Sequence, residues 1–251
     1  QNYIDDIIIF SKTTSEHLTH LKRLFDMAKQ EGLKFKLSKC QFHQKQIKYL
    51  GYEISKNSLK PLQSNVEALL KVPAPTDLKS LRGFLGKANY YTKFLPNRAV
   101  LFHPLYQLLR KNAKWEWTPE AQEAFEKAKE ILTSSPAIGI FNPKKETTVY
   151  TDASNKGIGA VLKQHWKEDP KNETTIAYFS RPLTSYQRNY STVEQELLAI
   201  LSAIEFWHFY LIGREFLVKT DHLPLKAVNR FNKPNTRLFN WSMRLMQYQF
   251  K

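Results

Sequence analysis

The sequence predicts an α/β chain of about two domains, an α+β and helical part followed by a mixed α/β part. Three observations carry that expectation. Apolar residues recur at helical spacing after residue 13 and again from residue 78 to 132. Near residue 146 the texture changes abruptly to β-rich runs, and between the two lies a stretch clustered in Pro and polar residues, Ser134-Ser135-Pro136 through Asn142-Pro143-Lys144-Lys145. With 251 residues, 42% of them hydrophobic and 13% aromatic, the chain can bury sizeable cores.

The first element is a hairpin. Asp5 and Asp6 stand between Tyr3 and the apolar run Ile7-Ile8-Ile9-Phe10, which suits a tight strand-turn-strand that holds both carboxylates at the tip of a buried strand. Paired carboxylates are magnesium ligands in phosphoryl transfer. A plain turn, where Asp is common, fits the tetrapeptide as well. Next, Leu18, Leu21, Phe25 and Ala28 predict a helix from a Thr13/Thr14 cap to a stop at Gly32. Short strands are expected at Cys40 to His43, Ile47 to Leu50 and Tyr52 to Ser55, with Gly51 allowing close approach between the last two. After Pro73 and Pro75, helices are expected on Leu78-Leu81-Leu85-Ala88, near Phe102 to Leu109, and from the cap Thr118 with Pro119 at the first helical position through Leu132. A three-stranded meander follows, on Thr147 to Asp152, Gly157 to Leu162 and Thr175 to Phe179. The long helix Thr192 to Leu211 and the strand Phe216 to Thr220 complete the pattern.

Charge narrows the partner. Lys and Arg number 38 against 23 Asp and Glu, a net +15, so polyanions are the expected ligands. Residues 1 to 145 hold 24 basic and 13 acidic side chains, residues 146 to 251 hold 14 and 10. The densest stretch, Lys34 to Lys60, has seven lysines and the single acid Glu53, interleaved with Phe35, Phe42, Tyr49 and Tyr52. That mixture can grip a nucleic-acid backbone or simply form a solvated face over an aromatic core. A single cysteine, Cys40, excludes an internal disulfide and any cysteine-cluster zinc site. No signal peptide is expected, with Asp5 and Asp6 so early, and no apolar run nears the roughly 20 residues of a membrane span, so no membrane partner is expected.

Three acids of the second part stand where chemistry can gather. Asp152 closes the first strand, Glu196 sits early in the long helix, and Asp221 follows the last strand. Strand ends and helix starts of an α/β sheet converge on one edge. Carboxylates brought together there repel and raise one another's pKa, which a divalent cation relieves while activating water against a phosphodiester. Each is also compatible with a simple turn or helix-start charge. Ser191 and Glu194, three apart, form a capping box, which leaves Glu196 for the metal.

The run Tyr3-Ile4-Asp5-Asp6-Ile7-Ile8-Ile9-Phe10-Ser11, then Leu50-Gly51-Tyr52, Arg82-Gly83-Phe84-Leu85-Gly86 with Tyr90-Tyr91, Thr151-Asp152-Ala153-Ser154, Tyr178-Phe179-Ser180-Arg181, Tyr190-Ser191-Thr192, Glu194-Gln195-Glu196-Leu197-Leu198-Ala199-Ile200 and Thr220-Asp221-His222 occur in one order. In that order they resemble the Pol polyproteins of gypsy-type LTR retrotransposons, over essentially the whole chain. The resemblance implies the end of a reverse transcriptase palm with a primer-grip-like turn at residues 1–60, a helical thumb and connection at 61–133, a linker at 134–145 and a ribonuclease H-like domain at 146–251, truncated at its C-terminus.

Carried over to this chain, the resemblance makes Asp5 and Asp6 the paired polymerase aspartates and Leu50-Gly51-Tyr52 the turn that holds the primer end. Asp152, Glu196 and Asp221 become three of four ribonuclease H carboxylates. The implied cofactor is Mg2+ or Mn2+, and the implied partners are primer-template and RNA:DNA hybrid, with a second copy or the remainder of the Pol polyprotein. Tyr3, Arg181, Lys219 and His222 are candidate nucleic-acid contacts, His222 alternatively assisting proton transfer or product release or being merely solvated. The family's other polymerase aspartate falls upstream of Tyr3 and its fourth ribonuclease H acid beyond Lys251, so the expectation is no polymerisation and hybrid cleavage at reduced rate. The rival expectation is a catalytically inactive, basic nucleic-acid-binding remnant. A cytoplasmic particle followed by the nucleus is the implied setting.

Overall fold

The computed structural model describes residues 2–134, 137–221 and 237–251. Contacts divide the chain into two compact units, Gln1–Lys56 and Asn57–Lys251. The helices of the middle and the β-rich part therefore share one unit.

In the first unit, strands β1 (Asn2–Tyr3) and β2 (Asp6–Ile7) pair antiparallel around a two-residue turn in which Ile4 is left-handed, φ 51°. The expected hairpin forms, but its strands are not buried: residues 2 to 7 are all exposed, Ile4 to 79%. Helix α1 (Thr14–Gln30) begins where expected, Thr13 accepting from the Glu16 N–H, and gives way to a left-handed Gly32, φ 68°. Its apolar stripe is mostly uncovered, and Ala28 alone is buried among the described residues of this unit. Cys40 to His43 is not a strand. A 3-10 turn over Leu37–Lys39 precedes it and His43 is left-handed, φ 53°, so the extended geometry a ladder requires is interrupted. Strands β3 (Gln46–Tyr49) and β4 (Tyr52–Ser55) do pair, around Leu50 and Gly51. Both turn residues have positive φ, 45° and 68°, the pattern of a type I′ hairpin turn.

The second unit begins with β5 (Ser58–Pro61) and α2 (Gln63–Leu70), neither marked by a clear sequence period. Helix α3 (Leu78–Tyr90) starts at a capping box between Asp77 and Ser80. Short helices α4 (Arg98–Leu101) and α5 (His103–Gln107) lead to α6 (Pro119–Ser134), capped at Thr118 as expected. The helices close around fully buried Phe84, Phe102 and Phe125, the rings of Phe84 and Phe125 lying 4.6 Å apart. Lys129 enters this core because its ammonium donates to the Val72 carbonyl at 2.7 Å and lies over the Phe125 ring. Strand β6 (Ile138–Gly139) then returns to pair with β5.

The meander forms as expected from β7 (Glu146–Ala153), β8 (Gly157–Trp166) and β9 (Asp169–Pro182). Helix α7 (Thr192–Phe206) ends at the buried Trp207 and restarts as α8 (His208–Leu211), so the single long helix is interrupted. Strand β10 (Glu215–Lys219) pairs parallel with β7, and after α9 (Arg237–Leu245) strand β11 (Gln249–Phe250) pairs parallel with β10. The sheet order is β11-β10-β7-β8-β9. Helix α7 packs on β7 and β8 around Val149, Leu162, Leu197 and Leu201.

Helix α4 docks on β9 and β8. The Ala99 N–H donates to the Ser180 hydroxyl at 2.9 Å, and the Arg98 guanidinium donates to the Ser180 carbonyl at 3.1 Å. A Cβ on Gly157 would lie 2.9 Å from the Arg181 carbonyl oxygen and 3.1 Å from the Ala99 side chain. Gly83, inside α3, has open space where its Cβ would be. Chemical denaturation is expected to show opposite effects for the same change. Gly157→Ala lowers stability by about 1 to 3 kcal/mol through overpacking, whereas Gly83→Ala raises it by about 0.5 to 1 kcal/mol through helix propensity.

Candidate active site

Residue Asp152 is the penultimate residue of β7 and is exposed. Parallel pairing sets Lys219 opposite Tyr150, the last pair of the β10–β7 ladder, two residues before Asp221 and Asp152 in their respective segments. The start of α7 supplies the third acid. Ser191 accepts from the Glu194 N–H at 3.3 Å, and the Glu194 carboxylate accepts from the Ser191 N–H at 2.9 Å, the expected capping box. Arg237 adds a 2.6 Å ion pair to Glu194. Burial opposes the Glu194 charge, but these partners outweigh it and hold its carboxyl below the ordinary value.

Glu196 has the opposite environment. It is 4% exposed, and one carboxylate oxygen, Oε2, has no hydrogen-bond partner among the described residues. Burial, then the charge of Asp221, then that of Asp152 push its pKa up to about 7, against weaker help from the Ala153 N–H and the Thr220 hydroxyl. Two of the acids singled out in the sequence, Asp221 and Asp152, therefore act on the third. Among the described residues no three acidic, His or Cys side chains close into a ready-made metal cage. What the residues offer is an orphaned buried oxygen and mutual repulsion, both of which a divalent cation relieves, so the donor set fits such an ion.

Arg181 and Lys219 are engaged within the domain. The Arg181 guanidinium donates to Gln187 and to Ser202 on α7, both at 3.0 Å. Lys219 donates to the Tyr150 hydroxyl at 3.2 Å; that hydroxyl donates to Glu173 at 2.6 Å, and Lys163 pairs with Glu173. His222 lies outside the described residues. A cavity of about 640 Å³ is lined by Arg181, Trp241 and Arg244 among others, and does not include Asp152, Glu196 or Asp221. A smaller one, about 210 Å³, includes Asp152 with Ser154, Asn155 and Asn97.

In the first unit, Asp5 occupies the exposed hairpin turn and Asp6 pairs with Tyr3. The Tyr49 hydroxyl donates to the Asp6 carbonyl at 3.4 Å, which sets the Leu50-Gly51-Tyr52 turn beside the acid hairpin. Thr220 and the Ala153 amide, which support Glu196, escaped the sequence reading. The only available signal was position, since each adjoins a candidate acid.

Comparison with known proteins identifies the family models and relatives that the chain matches. The family model described as an RNase H-like domain found in reverse transcriptase matches residues 142–248, and the one described as reverse transcriptase (RNA-dependent DNA polymerase) matches residues 1–54. The transposon Tf2-3 and Tf2-7 polyproteins of Schizosaccharomyces pombe (strain 972 / ATCC 24843) are each 38% identical to this chain over 99% of its length. The chain spans 19% of those relatives. Among solved structures, a foamy viral protease-reverse transcriptase dRH in complex with double-stranded DNA superposes with a TM-score of 0.83 at 20% identity, covering all of this chain and 45% of that one. The foamy viral protease-reverse transcriptase in complex with an RNA/DNA hybrid gives 0.80 at 22%, covering all of this chain and 34% of that one. At those identities the likeness is one of fold.

The Glu196 environment has a measurable consequence without metal. A carboxyl raised from 4.5 to about 7 binds more protons folded than unfolded, so its contribution to stability falls as pH rises from 4.5 to 7 and the full penalty applies above 7. That penalty reaches up to about 3 kcal/mol. Urea unfolding in EDTA at pH 8 is expected to find Glu196→Gln more stable than the parent, with the difference vanishing near pH 4.5.

Proposed function

Because the chain belongs to the reverse transcriptase and ribonuclease H family of retrotransposon polyproteins, we propose that its β-rich part performs metal-dependent cleavage of the RNA strand of RNA:DNA hybrids. The observation that carries the reading is Glu196, a buried carboxylate with an unpartnered oxygen that faces the charges of Asp152 and Asp221. A hydrophobic side chain would fill the start of α7 without the repulsion.

The residues that would hold the ion are Asp152, Glu196 and Asp221. Magnesium or manganese supplies Lewis acidity toward the phosphate and a lowered pKa for water. The protein's part is positional. The β7–β10 register fixes two of the acids, and the Ser191–Glu194 capping box fixes the helix that carries the third. Hybrid recognition rests on duplex shape, phosphates and 2′-hydroxyls, with no need for base sequence. The two structural neighbours are complexes with double-stranded DNA and with an RNA/DNA hybrid, which supports nucleic acid as the partner here.

For the first unit we propose a role in RNA-directed DNA synthesis by the whole polyprotein, with Asp5 and Asp6 as paired metal acids and Leu50-Gly51-Tyr52 as the turn at the primer end. Tyr3, Ile4, Ile7 and Phe10 are exposed on this unit, a surface suited to cover by the rest of the polyprotein or a second copy. The proposed setting is a cytoplasmic particle and then the nucleus.

A labelled RNA:DNA hybrid with magnesium tests the nuclease reading. Cleavage is expected from the parent chain, with Asp152→Asn and Glu196→Gln each reducing it at least about 100-fold, the scale of a lost charge-stabilising group. Hybrid binding that falls steeply with salt but brings no cleavage would instead leave a basic nucleic-acid-binding protein.

A further inference from the structure

Resting on the ribonuclease reading, we propose that Asn97, from the helical part of the chain, is a substrate-binding residue of the acid-bearing groove and that its amide donates to the sugar–phosphate backbone of the hybrid beside Asp152. The sheet register places it there. Asp152 pairs with Gly159, and Gly159 with Ser180, so the three share one face. Ser180 is the residue that receives α4, and Asn97 immediately precedes that helix. Gly159 admits the approach, since a Cβ there would lie 3.2 Å from the Asn97 Oδ1. The cavity of about 210 Å³ that contains Asp152 is walled on this side by Asn97 and Val100.

Capping, the usual duty of an asparagine before a helix, does not account for its amide. Before a helix, Asn usually accepts from a backbone N–H of the first turn, yet Asn97 makes no side-chain cap to α4. Its side chain finds no hydrogen-bond partner among the described residues, and it is exposed. Its backbone is left-handed, φ 47° and ψ 32°, a conformation glycine would satisfy at least as well. What remains is an exposed, uncharged amide that walls a groove shared with a carboxylate. An amide suits that place: it donates to phosphate and sugar oxygens without competing, as Lys or Arg would, for the neighbouring acid.

Asn97→Gly tests the assignment because it keeps the left-handed backbone and removes only the amide. Hybrid affinity is measured by fluorescence anisotropy in EDTA, and cleavage kinetics in magnesium. The expected result is a Kd and KM raised about 5- to 10-fold, the worth of one polar contact to a charged group, with kcat changed by less than about twofold and the thermal midpoint kept. Asn97→Asp, which retains the shape and faces phosphate with a negative charge, is expected to weaken binding further. An Asn97→Gly protein that binds and cleaves as the parent does would overturn the contact while leaving the nuclease intact. A parent that binds hybrid without cutting it, yet loses affinity on Asn97→Gly, would sink the nuclease reading and keep the contact.

Discussion

The repulsion gathered around Glu196 is the constraint on which the β-rich part of this chain turns. Its carboxylate is buried, opposed by Asp221 and Asp152, and only partly compensated by the Ala153 N–H and the Thr220 hydroxyl. Such an arrangement persists only because other interactions fix its members. The parallel ladder of β7 and β10 ties together the strands that lead into two of the acids, and the capping box with the Arg237 pair anchors the helix that carries the third. Removing any of these would let the acids part and relax.

Much of this was legible in the sequence because it rests on local chemistry. Thr13, Thr118 and Ser191 announce helix starts by hydroxyls that accept from the first turn, and the meander follows from β-rich runs separated by turn residues. The capping role of Glu194 was legible too, since a capping box claims the acid at its third position. Long-range features were not. That α4 seats on Ser180, and that Asn97 thereby reaches the face of Asp152, depends on a contact between residues 81 apart, for which local pattern holds no signal.

The misread segments share a cause. Cys40 to His43 has the composition of a strand but follows a 3-10 turn and ends at a left-handed residue, so backbone geometry overrode propensity. The apolar run after Asp6 was expected inside a buried strand. Ile7 is instead exposed, because β-propensity reports what a segment can pack against and says nothing of what is present to cover it. The helix through Trp207 breaks where that ring turns into the core against Phe179, a tertiary event invisible to periodicity.

The seating of α4 on Ser180 and the pairing of β5 with β6 bear on how such a protein withstands proteolysis. A protease that cut the chain between residues 134 and 137 would sever the backbone without releasing the sheet from the helices, since the ladder and the Ser180 bonds hold the two pieces on either side of the nick. Covalent continuity and physical continuity are thus separate properties in this part of the molecule. Cleavage at that junction would yield a nicked protein whose sheet still carries its helical wall.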